Sequence, residues 1–119
     1  FSETPRTEVL ESHIKQMVRA GADIAKLAVM PKNTADVLTL LSVTNTMASK
    51  FPDTPLVTMS MGSRGMISRV TGEMFGSAIT FASLGEASAP GQVPLPDLIS
   101  AMKFVHKYGT EAVSDGENG

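Results

Sequence analysis

The stretch Ala22-Asp23-Ile24-Ala25-Lys26-Leu27-Ala28-Val29-Met30-Pro31 decides how the rest of the chain is read. Apolar residues fill nearly every position between the aspartate and the proline, the pattern of a strand covered on both faces inside an α/β fold. Alternation puts Ile24, Lys26 and Ala28 on one face and Asp23, Ala25, Leu27 and Val29 on the other. Leu27 and Val29 suit packing on helices, which sends Lys26 inward. An inward lysine is costly unless it is paired or gives up its proton, and a neutral amine is the form that condenses with a ketone or aldehyde. The alternative is a lysine whose stem lies along the strand end with its ammonium in water.

Upstream, Thr4-Pro5 reads as an N-cap with proline at the first helical position, and Leu10, Ile14, Met17 and Val18 continue a helix over 5–20 until Gly21. His13 lies beside that stripe as a structural residue. Downstream, Asn33 is the N-cap of a second helix with Val37, Leu40, Leu41, Thr44, Met47 and Ala48 on one face, ending near Lys50 before Pro52 and Pro55. A second strand follows over 56–61, with Met59 and Met61 on one face as core filler or as a pocket wall.

The turn Gly62-Ser63-Arg64-Gly65 opens a short helix over 66–72 and could cradle an anion. Ile67 and Val70 are expected inward, and spacing alone reads Arg69 as a surface residue. A third strand is expected over 78–82, then a long small-residue loop over 83–96 of the kind used as a lid or binding loop. Pro96 begins a last helix with Leu98, Met102 and Val105 as its stripe, in which His106 favours the C-terminal dipole and does nothing more. Residues 110–119 form a polar, acidic tail.

The sequence, 119 residues and 42% hydrophobic with a net charge of −2, suits one small soluble domain and shows no basic face for nucleic acid. No cysteine is present, and the two histidines fall in no metal-ligand spacing, so disulfides, thiolate sites and a metal centre are not expected. The absence of a secretory pattern, and of an apolar run of about 18 residues, makes the cytoplasm the expected location and a membrane partner unexpected. The opening Phe1 in place of methionine raises the expectation of a processed, cleaved or truncated chain. The order α, β, α, β, α, β, α with short spacings predicts about three parallel strands and four helices, the C-terminal portion of a (β/α)8 barrel.

The segments Gly21 to Pro31, Asp36-Val37-Leu38-Thr39-Leu40-Leu41, Met59-Ser60-Met61, Ile67-Ser68-Arg69, Gly72-Glu73-Met74-Phe75-Gly76-Ser77 and Ala87-Ser88-Ala89-Pro90-Gly91-Gln92 resemble, in order, the C-terminal half of type I 3-dehydroquinate dehydratases. The resemblance spans residues 1–109. It implies a shikimate-pathway lyase that dehydrates 3-dehydroquinate to 3-dehydroshikimate through a lysine Schiff base, with no cofactor. Lys26 matches the imine-forming lysine, and Arg69 matches the arginine that grips the substrate carboxylate. Ser88 and Gln92 match residues of a closing loop, and Met59, Met61 and Phe81 match the pocket wall. The family's general acid/base histidine lies two residues before the position of Phe1 and has no counterpart here, which implies that this chain alone is inactive. The expected partner is then the N-terminal half or a second copy of the chain. The competing reading is an inactive partial barrel that self-associates through its exposed sheet edge and apolar inner face.

Overall fold

The computed structural model describes residues 1–78 and 94–110. Among them run α1 (Thr7–Arg19), β1 (Ala25–Val29), α2 (Thr34–Lys50), β2 (Leu56–Ser60), α3 (Met66–Thr71) and α4 (Leu95–Val105), with a 3-10 turn at Gly72–Phe75 and a π turn at His106–Thr110. None of these helices is long and apolar enough to cross a membrane.

β1 and β2 are parallel, in register from Ala25 opposite Leu56 to Val29 opposite Ser60, with α2 as the crossover. β1 is shorter than the apolar run because its ladder begins where Ala25 N donates to Pro55 O at 2.9 Å. Pro55 itself has no N–H with which to pair the residues before Ala25. Leu56 forms a further parallel bridge to Ser77, and Ala78 N donates to Leu56 O at 2.7 Å. The rest of the expected third strand, and the tail from 111, lie outside the described residues.

Both helices beside the sheet cover a single face. Ala25, Leu27, Val29 and Leu56 pack with Leu10 and Ile14 of α1 and with Leu40, Val43 and Met47 of α2. The alternation read in the sequence is therefore the alternation of the core. Within it the Thr44 hydroxyl donates to Leu40 O at 2.7 Å and lies 2.7 Å from the Thr58 hydroxyl, a polar contact wholly inside the α2–β2 layer. A second cluster joins Leu98 and Met102 of α4 to Val70 of α3.

The start of α2 is doubly tied. Asn33 Oδ1 accepts from Asp36 N at 3.0 Å, and Asp36 Oδ2 accepts from Lys32 N at 2.8 Å, so two N–H groups at the helix start find side-chain acceptors. Asn33→Ala should lower stability by about 1 kcal/mol. Urea unfolding reads this directly, and an unchanged midpoint would show that the cap contributes nothing.

α1, by contrast, begins at Thr7 with no side-chain cap. The expected cap, Thr4, instead donates from its hydroxyl to Met30 O at 2.9 Å, and the Phe1 amino group donates to Ala28 O at 2.9 Å. The first residues thus lie along β1 and not at the foot of α1.

Candidate active site

Lys26 projects from the sheet face opposite the helical core, level with Val57, while Ala28 is level with Met59. Lys26 stands on the face away from the core that α1 and α2 cover, as the alternation implies, and among the described residues its side chain is exposed. Met59 shares its face and is half-buried, and Met61 follows just beyond the end of β2. A hollow lined by Phe1, His13, Lys26, Leu27 and Ala28 lies beside this part of β1. His13 is exposed there, in edge-to-face contact with the Phe1 ring at 5.1 Å.

Arg69 departs from the surface position that spacing suggested: only 6% of it is exposed. Its Nη2 donates to Gly62 O at 2.9 Å, at the C-terminal end of β2. Burial draws its pKa below the ordinary guanidinium value. Ile67, expected inward, is 51% exposed instead. Two turns of helix cannot turn every apolar residue toward one layer, and in α3 the buried positions go to Ser68 and Arg69.

The turn before α3 is shaped by two glycines. Gly62 adopts φ +78°, and a Cβ on Gly65 would lie 2.0 Å from Ser60 O. The chain therefore folds back tightly on the end of β2, and the turn offers Arg69 a carbonyl. At the same rim Arg64 Nη1 donates to Lys32 O at 2.6 Å, joining the loops that follow the two strands. His106, read as a dipole residue alone, instead pairs through Nδ1 with Glu73 Oε1 and ties the end of α4 to the 3-10 turn.

Lys26 and Met59 thus share one face of the sheet, Met61 follows the end of β2, and Arg69 is anchored at the bend just beyond it. The lysine lies three residues before the end of β1, about 10 Å below the rim that carries the arginine. Ser88, Gln92 and Phe81 lie outside the described residues. Ser68, which the sequence reading passed over, is buried beside Arg69 and bonded to the end of β2; its hydroxyl on Gly65 O, three residues back, was the available local signal. Among the described residues no group of three or more His, Asp or Glu side chains is placed to hold a metal ion.

The family model described as type I 3-dehydroquinase matches residues 1–109. The chain is 47% identical over 108 residues to the 3-dehydroquinate dehydratase of Bacillus velezensis, covering 91% of this chain and 43% of that protein. It is 50% identical over 106 residues to the enzyme of that name from Clostridium novyi, covering 89% and 42%. Among solved structures, the type I 3-dehydroquinate dehydratase of Clostridium difficile with covalently modified comenic acid superposes with a TM-score of 0.75 at 45% identity. That match covers 88% of this chain and 41% of the other. The chain spans about two fifths of the length of the curated relatives it matches.

Proposed function

This chain belongs to the type I 3-dehydroquinase family, and on that premise we propose that it is the C-terminal part of a cytoplasmic 3-dehydroquinate dehydratase acting through a Schiff base at Lys26. The observation that carries this reading is the placement of Lys26 on the sheet face turned away from the core, below a rim at which Arg69 is buried and anchored.

In the proposed reaction the neutral Lys26 amine adds to the substrate ketone and expels water, leaving an iminium. A proton then leaves the adjacent carbon, and its electron pair is drawn into the iminium nitrogen to give an enamine. The enamine pushes out the β-hydroxyl, which departs as a second water after protonation, and hydrolysis of the imine frees the enone product and Lys26. Arg69 holds the carboxylate with its planar fork throughout. Met59, Met61 and Phe81 are proposed to meet the apolar side of the substrate, and Ser88 and Gln92 to hydrogen-bond it.

The proton transfers need the histidine that the family carries two positions before Phe1. The Phe1 amino group donates to Ala28 O, so the first residue lies beside β1, the strand that carries Lys26.

The proposal therefore names the N-terminal half of the enzyme as partner. Co-expression with the N-terminal part of the Bacillus velezensis relative should give a one-to-one complex that forms enone from 3-dehydroquinate, followed by ultraviolet absorbance. The chain alone should be slower by about 10²–10⁴-fold or more, the contribution of a positioned acid/base. A homo-oligomer that refuses the N-terminal part and never forms enone would favour the self-associating partial barrel.

A further inference from the structure

Resting on the reading of Arg69 as the carboxylate grip, we infer that Ser68 is a positioning residue for it: its hydroxyl locks the first turn of α3 to the end of β2 and so sets where the Arg69 fork emerges. Ser68 is 2% exposed, and its Oγ donates to Gly65 O at 2.7 Å while accepting from Ser60 N at 2.9 Å. The neighbouring residue completes the latch, since Arg69 Nη2 donates to Gly62 O at 2.9 Å. Two consecutive helix residues thus hold two backbone groups on either side of the same bend, one hydroxyl to Ser60 N and one guanidinium to Gly62 O.

The arrangement leaves little slack. Gly65 is already pressed against Ser60 O, so α3 cannot slide toward the strand. Sliding away strips Ser60 N of its acceptor inside the protein, where an unpaired N–H is penalised. A guanidinium fork recognises a carboxylate through two parallel bonds, which makes it sensitive to a small rotation of its helix. Ser68 therefore acts on substrate binding through Arg69 and touches no reacting atom.

The structure also supplies a control. Ser60 Oγ is fully buried and makes no hydrogen bond among the described residues. Ser60→Ala removes a hydroxyl from the same bend without touching the latch.

In the assembled dehydratase, Ser68→Ala should raise KM for 3-dehydroquinate roughly tenfold with kcat little changed, the pattern of lost ground-state binding. Ser68→Thr, which keeps the hydroxyl, should recover most of the loss, and Ser60→Ala should leave KM alone. In an Arg69→Met background, Ser68→Ala should add no more than about twofold, because the two residues act as one unit. An equal KM increase in both backgrounds, or none in either, overturns the positioning role. An Arg69→Met enzyme with unaltered KM overturns the reading of Arg69 itself. On this chain by itself, exchange of the Arg69 guanidinium protons by ¹⁵N NMR should quicken in Ser68→Ala and not in Ser60→Ala; exchange unmoved by Ser68→Ala overturns the proposal whatever the state of assembly.

Discussion

Lys26→Ala is expected to lose every trace of a borohydride-trapped adduct with 3-dehydroquinate and to lower turnover of the assembled enzyme by about 10⁴-fold or more, the scale on which loss of a covalent nucleophile acts. Reduction of the imine carbon–nitrogen double bond by hydride leaves a secondary amine that no longer hydrolyses, so intact mass reports it directly. Lys26→Arg should fail as badly, because a guanidinium keeps the charge but cannot condense with a ketone at neutral pH. That pair of variants separates covalent chemistry from electrostatic assistance. Folding is not the confounding factor, since Lys26 stands on the face opposite the Ala25–Leu27–Val29 core and is exposed. An adduct that persists at full yield in Lys26→Ala would place the imine on another lysine.

Arg69→Met should raise KM by about 10- to 150-fold, the equivalent of the roughly 1.5–3 kcal/mol carried by hydrogen bonds to a charged group. Arg69→Lys should fall between the two, retaining the charge and losing the fork. The thermal midpoint of Arg69→Met should change little, because the lost bond to Gly62 O is offset by relief from burying a charge. The pH behaviour has a definite sign. Burial lowers the pKa of Arg69 in the folded protein below its ordinary value. The unfolded chain therefore binds more protons between those two values, and stability attributable to Arg69 rises with pH across that alkaline window. Below it the cost of burying the charge is constant. Steady-state kinetics with 3-dehydroquinate decides the matter, and a KM within twofold of the parent would remove Arg69 from the binding site.

How far these residues were legible depends on how far away their partners lie in the chain. β1 and α2 are readable because alternation and helical period run long enough to name a face, and because Asn33 meets Asp36 only three residues on. The direction of Lys26 follows from that alternation, whereas its exposure depends on what covers the other side of the sheet, which no local pattern contains. α3 offers only six residues, too few to establish a period, and so the spacing points Ile67 inward while Ser68 and Arg69 take the buried positions. Ser68 finds Ser60 eight residues earlier, and His106 finds Glu73 across 33 residues. Such contacts are settled by the fold and leave little trace in spacing. The roles proposed for Lys26 and Arg69 rest on family resemblance, since a half-buried sheet and a two-turn helix do not announce an imine or a carboxylate.

The hydroxyl contact between Thr44 and Thr58 imposes an order on the chain's own history. When Thr44 sends its single proton to Leu40 O, Thr58 is the donor across the layer. A lineage exchanging both threonines for valine can do so smoothly if Thr58 changes first, because Thr44 keeps Leu40 as its acceptor. Changing Thr44 first strands the Thr58 proton in the core, an intermediate that selection would tend to discard. Two routes between the same endpoints are therefore unequal, and descendants should carry Thr58→Val alone far more often than Thr44→Val alone.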